Sequence, residues 1–167
     1  MSRYPVPVFR PLLPLTMLVL AAPLAGKDSL GVFGDWGAFS DPAVPRCYAI
    51  VAAEKGSGAF QAYADVATWP RQGVRGQVHF RLSRQLSASS HPSLSLGGKR
   101  YPLAGGGADV WALDKRADAA IVAAMRSADS MSLTATDRVG RRFTDRYSLK
   151  GAATAMDAAT VGCARTR

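Results

Sequence analysis

The chain has 167 residues and carries a formal charge of +9, from 21 lysines and arginines against 12 acidic residues. This length suits one ordinary domain after a short leader. Beyond residue 25 no apolar run is long enough to span a membrane. The positive charge favours anionic partners and solubility but carries no information about the fold.

The first 25 residues have the layout of a secretory signal peptide. Arg3 and Arg10 precede or flank an apolar run, residues 12–24, that small residues follow. The alternative is an uncleaved N-terminal anchor, and the cleavage site stays open. We therefore expect a signal peptide over 1–25 and a single domain over 26–167. Two of the basic residues and no acidic residue lie in the leader, so the domain keeps a charge of +7.

Cys47 and Cys163 are the two cysteines of the chain. In an exported protein a pair of cysteines predicts one disulfide. The alternative is two free thiols, with Cys163 buried as a small apolar side chain on a helix.

Strands are predicted in the first half of the chain over residues 31–39, 46–53, 60–69 and 74–82. The clearest alternation lies in the last of these, where Val78 and Phe80 point to one side and polar residues to the other. An aromatic set is expected to lie in the core, with a ligand pocket as the alternative: Phe33, Trp36, Phe39 and Trp111.

In the second half, Gly97-Gly98 predicts a hairpin between strands 93–96 and 99–103. Pro102 assigns the second of these to an edge. Further strands are predicted over 109–113, 130–136 and 141–150. A helix capped by Asp114 is expected over 114–128. A second helix is expected over 152–163, with Ala152, Ala155, Met156, Ala159 and Cys163 on one apolar face.

These elements predict a mainly β fold. Each strand has an apolar face to bury, which requires two packed layers. We expect an antiparallel β-sandwich or partly open barrel of about eight strands, with two helices packed on it.

A basic set along and beside the strand at 74–82 is the predicted anion-binding face: Arg71, Arg75, His79, Arg81 and Arg84. Arg75, His79 and Arg81 are expected on one side of that strand, where arginines can fork onto phosphate or carboxylate oxygens. The alternative is an ordinary solvated face. A second basic group comprises Arg138, Arg141, Arg142 and Arg146, with Arg142 and Arg146 on one strand face.

No catalytic, metal or cofactor site is predicted. His79 and His91 are the two histidines of the chain, and neither has a ligand-like spacing to another metal-binding residue. No G-x-S-x-G elbow occurs. A Ser–His–Asp arrangement stays open, because such a triad is defined by geometry rather than by sequence position.

Five stretches resemble the invasion-associated locus B family of exported alphaproteobacterial proteins: 35–39 (DWGAF), 46–49 (RCYA), 74–78 (VRGQV), 119–125 (AAIVAAM) and 147–151 (YSLKG) running towards Cys163. The final block departs from the family pattern, with Ala152 and Met156 where an aromatic residue and a leucine are usual. The resemblance implies a periplasmic or envelope-associated protein, whose founding member is linked to host-cell entry, and it implies no catalytic residues.

The expected function is therefore non-enzymatic binding or host and envelope interaction by a periplasmic or secreted protein, including association with the outer membrane. Expected partners are an anionic envelope component (lipopolysaccharide, acidic glycan or lipid) or a protein. Nucleic acid is disfavoured by the export signal. The alternatives are a periplasmic structural or chaperone-like factor, which needs an exposed apolar groove, and a hydrolase, which needs a histidine beside a carboxylate and a serine.

Overall fold

The structure, a computed structural model, describes residues 26–54 and 58–165. The predicted signal peptide, 1–25, lies outside the described residues. The strands are β1 (Asp28–Phe33), β2 (Trp36–Asp41), β3 (Arg46–Ala52), β4 (Tyr63–Trp69), β5 (Val74–Arg81), β6 (Ser93–Leu96), β7 (Lys99–Gly106), β8 (Asp109–Ala112), β9 (Ser130–Thr136) and β10 (Arg142–Ser148). The helices are α1 (Lys115–Met125) and α2 (Ala152–Arg165), and a 3-10 turn, Pro70–Gln72, separates β4 from β5.

All these strands belong to one antiparallel sheet in the order β1-β2-β3-β4-β5-β8-β7-β6-β9-β10. The predicted mainly β fold with two packed helices is confirmed, with ten strands in the described part in place of about eight. Nine strand segments are predicted, and the tenth strand arises because residues 31–39 do not form one strand. They form parts of β1 and β2, and a turn at Gly34 and Asp35 joins the two.

The prediction that Pro102 marks an edge strand is wrong. Strand β7 is internal: residues 99–102 pair with β6, and residues 103–106 pair with β8. Pro102 lies where β7 changes partner, and the next amide, Leu103 N–H, donates to the Pro92 carbonyl at 3.0 Å. A residue without an N–H group fits at such an interruption of the ladder.

The sheet curls until its last strand meets its first hairpin. The indole N–H of Trp36 donates to the Ser148 carbonyl at 2.9 Å, and the Asp35 N–H donates to the Lys150 carbonyl at 3.0 Å. Shortly after the end of β5, the hydroxyl and the N–H of Ser83 both donate to the buried Asp145 carboxylate on β10. These bonds produce a partly open barrel. Its interior holds fully buried side chains from distant strands, among them Trp36, Phe80, Leu94, Leu133 and Tyr147.

Glycine is required at the junction between the first hairpin and the end of β10. Gly151 has φ +89°, a region that residues with a Cβ rarely adopt, and a Cβ there would overlap the Phe33 carbonyl oxygen. The facing residue, Gly34, has φ +59° and approaches the Lys150 carbonyl in the same way. The two chain segments therefore touch backbone to backbone.

The two helices begin where the sequence predicts. The Asp114 carboxylate accepts from the Ala117 N–H at 2.8 Å and caps α1, which ends at Met125. The predicted apolar face of α2 is buried against β1 to β4. In the described part of the chain, neither helix is long and apolar enough to cross a membrane.

The predicted disulfide is present. Cys47 on β3 and Cys163 on α2 are bonded, with their Cα atoms 5.6 Å apart, and the bond closes a loop of 116 residues. Both cysteines are buried. The bond therefore ties the last helix to the inner side of the sheet.

Replacing both cysteines by alanine should lower the free energy of unfolding by about 2–5 kcal/mol, because the long loop is no longer closed in the unfolded chain. Guanidinium unfolding of the purified variant measures the change. Reductant should shift the wild-type midpoint towards that of the variant and leave the variant unmoved. An unchanged midpoint in the double variant would contradict the prediction.

Gly151→Ala should destabilise the protein by about 3 kcal/mol, because it combines a strained φ with overlap against the Phe33 carbonyl. Gly140→Ala is the matched control. Its φ is also positive, +80°, but open space surrounds the added Cβ, so only about 1–2 kcal/mol should be lost. Thermal or denaturant unfolding compares the two. Equal losses would show that the backbone junction does not matter.

Candidate functional sites on the curled sheet

His79 belongs to a charged cluster on the outward side of β4, β5 and β8. Asp65 and Trp111 are its direct neighbours on the two flanking strands. Its Nδ1 lies 2.7 Å from the Asp65 carboxylate, its Nε2 lies 3.1 Å from the Asp109 carboxylate, and the Trp111 ring lies 4.9 Å away between centroids. We call Asp65, His79, Arg81, Asp109 and Trp111 the histidine–carboxylate cluster.

The two carboxylates control the protonation of His79. Burial lowers the pKa of His79, but the hydrogen bonds and charges of Asp65 and Asp109 raise it by more, so the pKa lies above its ordinary value. Protonated His79 donates from both ring nitrogens and balances Asp65, whose side chain is buried. Neither nitrogen is left free to act on a substrate.

Two further members of the predicted anion-binding face are also paired with carboxylates. Arg81 Nη1 lies 2.6 Å from Asp109, within the histidine–carboxylate cluster. Arg84 Nη1 lies 3.0 Å from Asp137, at the turn between β9 and β10. The structure thus separates Arg84 from His79 and Arg81. An anion approaching Arg81 or Arg84 would have to compete with these carboxylates.

Arg75 does not lie on the same side of β5 as His79 and Arg81. The β4–β5 ladder shifts register between Ala67 and Trp69, where β5 contains one extra residue, and Gly76 has φ +66°. A shift of one residue moves a side chain to the other side of the sheet. Arg75 therefore lines a groove beside the helices. Arg71 is exposed on the 3-10 turn and lines a different cleft.

The predicted aromatic set is dispersed in the same way. Trp36 is fully buried in the barrel, and Phe33 packs at the margin of the core. Phe39 stacks on Tyr48, with 5.6 Å between the ring centroids, while Trp111 is 38% exposed above His79. The four rings do not form a common pocket.

A second outward surface lies on the other half of the sheet. The register pairs Arg100 with Ser95, Ser95 with Ser132, and Ser132 with Arg146, so one row crosses β7, β6, β9 and β10. Direct cross-strand partners in an antiparallel sheet project to the same side. Across the paired segments 93–96, 99–102, 130–136 and 142–148, the outward residues are serines, threonines, arginines and one proline. We call this surface the hydroxyl–arginine face: Ser93, Ser95, Arg100, Ser132, Thr134, Arg142, Thr144 and Arg146.

The strand positions of the hydroxyl–arginine face contain no carboxylate. The one acidic residue in β6, β7, β9 or β10 is Asp145, which points inward and is 3% exposed. A shallow basin of about 810 Å³ opens over Ser95, Ser132, Arg100 and Arg146. Lys99 adds a third cation to the lining.

Two carboxylates do reach this basin. They come from Glu54, after β3, and Asp129, before β9, both outside the strand rows. In the described part of the chain, Arg100, Arg142 and Arg146 form no side-chain ion pair within 4.0 Å. Arginine is well suited to phosphate and carboxylate, and serine hydroxyls can both donate to and accept from sugar hydroxyls.

The sequence predicts only part of this face. Alternation along residues 141–150 predicts that Arg142 and Arg146 share one strand face. The missing information was strand order, which brings β7, β6 and β10 beside β9 and places Arg100 at the far end of the row.

Among the described residues, neither histidine forms a hydrogen bond to a serine side chain. His79 contacts two carboxylates. His91 is exposed in the loop before Pro92. Over residues 26–54 and 58–165, no group of three or more histidine, cysteine or acidic residues is arranged to hold a metal ion.

The chain matches no protein-family model, and it has no significant match among curated proteins or solved structures.

His79→Gln should remove a pH-dependent part of the stability. Because the folded pKa of His79 is raised, its contribution is complete below the unfolded pKa of about 6.5 and is lost as pH rises through the folded pKa. The difference in unfolding free energy between wild type and variant should therefore shrink with rising pH. Denaturant unfolding between pH 5 and pH 9 measures it.

The control for this series is His91→Gln, which replaces the exposed histidine outside the histidine–carboxylate cluster and is measured over the same pH range. A constant difference between wild type and His79→Gln across the pH range would show that His79 does not titrate against its carboxylates.

Proposed function

We propose that this protein is an exported, non-enzymatic binding protein of the invasion-associated locus B type, and that its hydroxyl–arginine face binds an anionic glycan of the cell envelope. The chemistry required is a sugar surface carrying phosphate or carboxylate groups. Lipopolysaccharide and acidic polysaccharides both supply it.

The row Arg100–Ser95–Ser132–Arg146 carries this proposal. Adjacent strands of a sheet lie about 4.8 Å apart, so the Cα atoms of the two arginines are separated by about 14 Å, with two hydroxyls between them. Both guanidinium groups can reach towards the centre of the row. A sugar can hydrogen-bond to the serines there while its acidic substituents meet the arginines.

The disulfide supports export, since such bonds persist in oxidising compartments and are rare in the cytosol. Together with the signal peptide predicted over residues 1–25, it favours the periplasm or the cell exterior. Binding to lipopolysaccharide would place the protein at the outer membrane.

A binding role agrees better with these sites than a hydrolase does. The carboxylates of Asp65 and Asp109 occupy both ring nitrogens of His79, so neither nitrogen is free to act as a general base. The hydroxyl–arginine face holds donors and acceptors but no histidine or cysteine.

Arg100→Glu/Arg146→Glu should weaken binding to purified lipopolysaccharide at low salt by at least about tenfold. Each charge-assisted hydrogen bond contributes about 1.5–3 kcal/mol, and 1.4 kcal/mol corresponds to a factor of ten. Calorimetric titration or surface plasmon resonance, with protein purified from a bacterial periplasm, measures the change. Wild-type binding should fall with added salt and with enzymatic removal of the lipopolysaccharide phosphates.

The matched control is Arg116→Glu/Arg138→Glu, which changes the net charge equally at two exposed arginines away from the row. It should weaken binding far less. If both double variants lost affinity equally, net charge alone would explain the binding. If neither lost affinity, the face would not be the site.

A further inference from the structure

A groove lies between α1, α2 and the start of β5, on the opposite side of β5 from His79. Its volume is about 500 Å³, and apolar side chains line its base, including Val66 from β4, Val122 from α1 and Met156 from α2. On the α1 side of the groove, the small side chains of Ala119 and Ala123 occupy little of its volume. The Arg126–Asp157 ion pair, at 2.6 Å, bridges the helices beside it.

The charged side chains that line the groove are all cationic. They are Arg75, brought to this side by the bulge at Gly76, together with Lys115 and Arg126. Among the residues that the structure describes, no carboxylate lines it. Arg126 is occupied by Asp157, whereas Arg75 and Lys115 form no side-chain ion pair within 4.0 Å among the residues that the structure describes. The groove thus combines an apolar base with two available positive charges.

The lining offers little to the backbone of a bound peptide. Beyond the three cations, its side-chain hydrogen-bonding groups are the hydroxyls of Thr68 and Thr160, and Thr160 already donates to the Met156 carbonyl at 2.8 Å. A peptide buried there would leave N–H groups without acceptors, which is unfavourable. A hydrocarbon chain has no polar groups to satisfy.

From these observations we propose that the groove binds the acyl chain of an anionic lipid. The chain lies on Val66, Val122 and Met156, and the negatively charged headgroup meets Arg75 and Lys115. This site shares no residue with the hydroxyl–arginine face, so it extends the proposed function and does not depend on it.

Decanoate and decanol are suitable probes, because they share a chain length and differ in charge. With protein purified from the periplasm, calorimetry should show decanoate binding at least about tenfold more tightly than decanol. Lengthening the carboxylate to laurate should tighten binding by about twofold to fourfold per methylene, as expected for apolar burial.

Substitutions in the cationic half and in the apolar half of the site separate the contributions of the two. Arg75→Glu/Lys115→Glu should weaken decanoate at least about tenfold and leave decanol almost unchanged. Ala123→Trp fills the groove from an exposed helix position and should weaken both probes, with Ala119→Leu as a second filling variant if the first unfolds. Arg100→Glu/Arg146→Glu is the control and should bind decanoate as the wild type does.

Equal affinity for decanoate and decanol, or decanoate binding that survives both filling variants, would overturn the proposal. Tighter binding of an apolar peptide than of laurate would also overturn it, and would favour a chaperone-like groove. Failure of lipopolysaccharide binding at the hydroxyl–arginine face would leave these expected results unchanged, so the two proposals can fail separately.

Discussion

The contact between the β1–β2 turn and the end of β10 is the constraint on which the barrel depends. Gly34 and Gly151 allow two backbones to touch, and the bond from Trp36 to the Ser148 carbonyl fixes the indole beneath them. This contact joins segments more than 100 residues apart, as does the Cys47–Cys163 bond. Because the curled sheet buries one side around the core, its other side faces outward on both halves.

The two outward surfaces differ because charge is compensated in one and not in the other. In the histidine–carboxylate cluster, Asp65 is buried and needs a partner, which His79 supplies. On the hydroxyl–arginine face the carboxylate of β10, Asp145, points inward and accepts from Ser83, so the outward arginines keep no acidic strand neighbour. The side of the sheet to which each side chain of a strand points therefore decides which arginines are available to a ligand.

The strand alternation predicted most of the fold. Local periodicity was sufficient to predict the strand over residues 130–136 and the helix over residues 152–163. The cap formed by Asp114 involves only the helix that it begins, so it could also be predicted locally. The hairpin within 31–39 was missed because its turn is stabilised by Lys150, which is far away in the sequence. Pro102 was misassigned because the change of partner in β7 depends on strand order. The pattern of basic residues predicts an anion-binding face of Arg71, Arg75, His79, Arg81 and Arg84. Spacing along the chain locates neither the extra residue in β5 nor the carboxylates of Asp65 and Asp109 beside it.

The sequence by itself determined the class of fold, the two helices with their buried faces, and a disulfide between Cys47 and Cys163. These follow from hydrophobic period, capping chemistry and cysteine number, which are local or compositional properties. The tertiary structure alone decided which charges are neutralised, since ion pairs join residues from different strands. It also decided the row of arginines and serines and the groove between the helices, because both depend on strand register and helix placement.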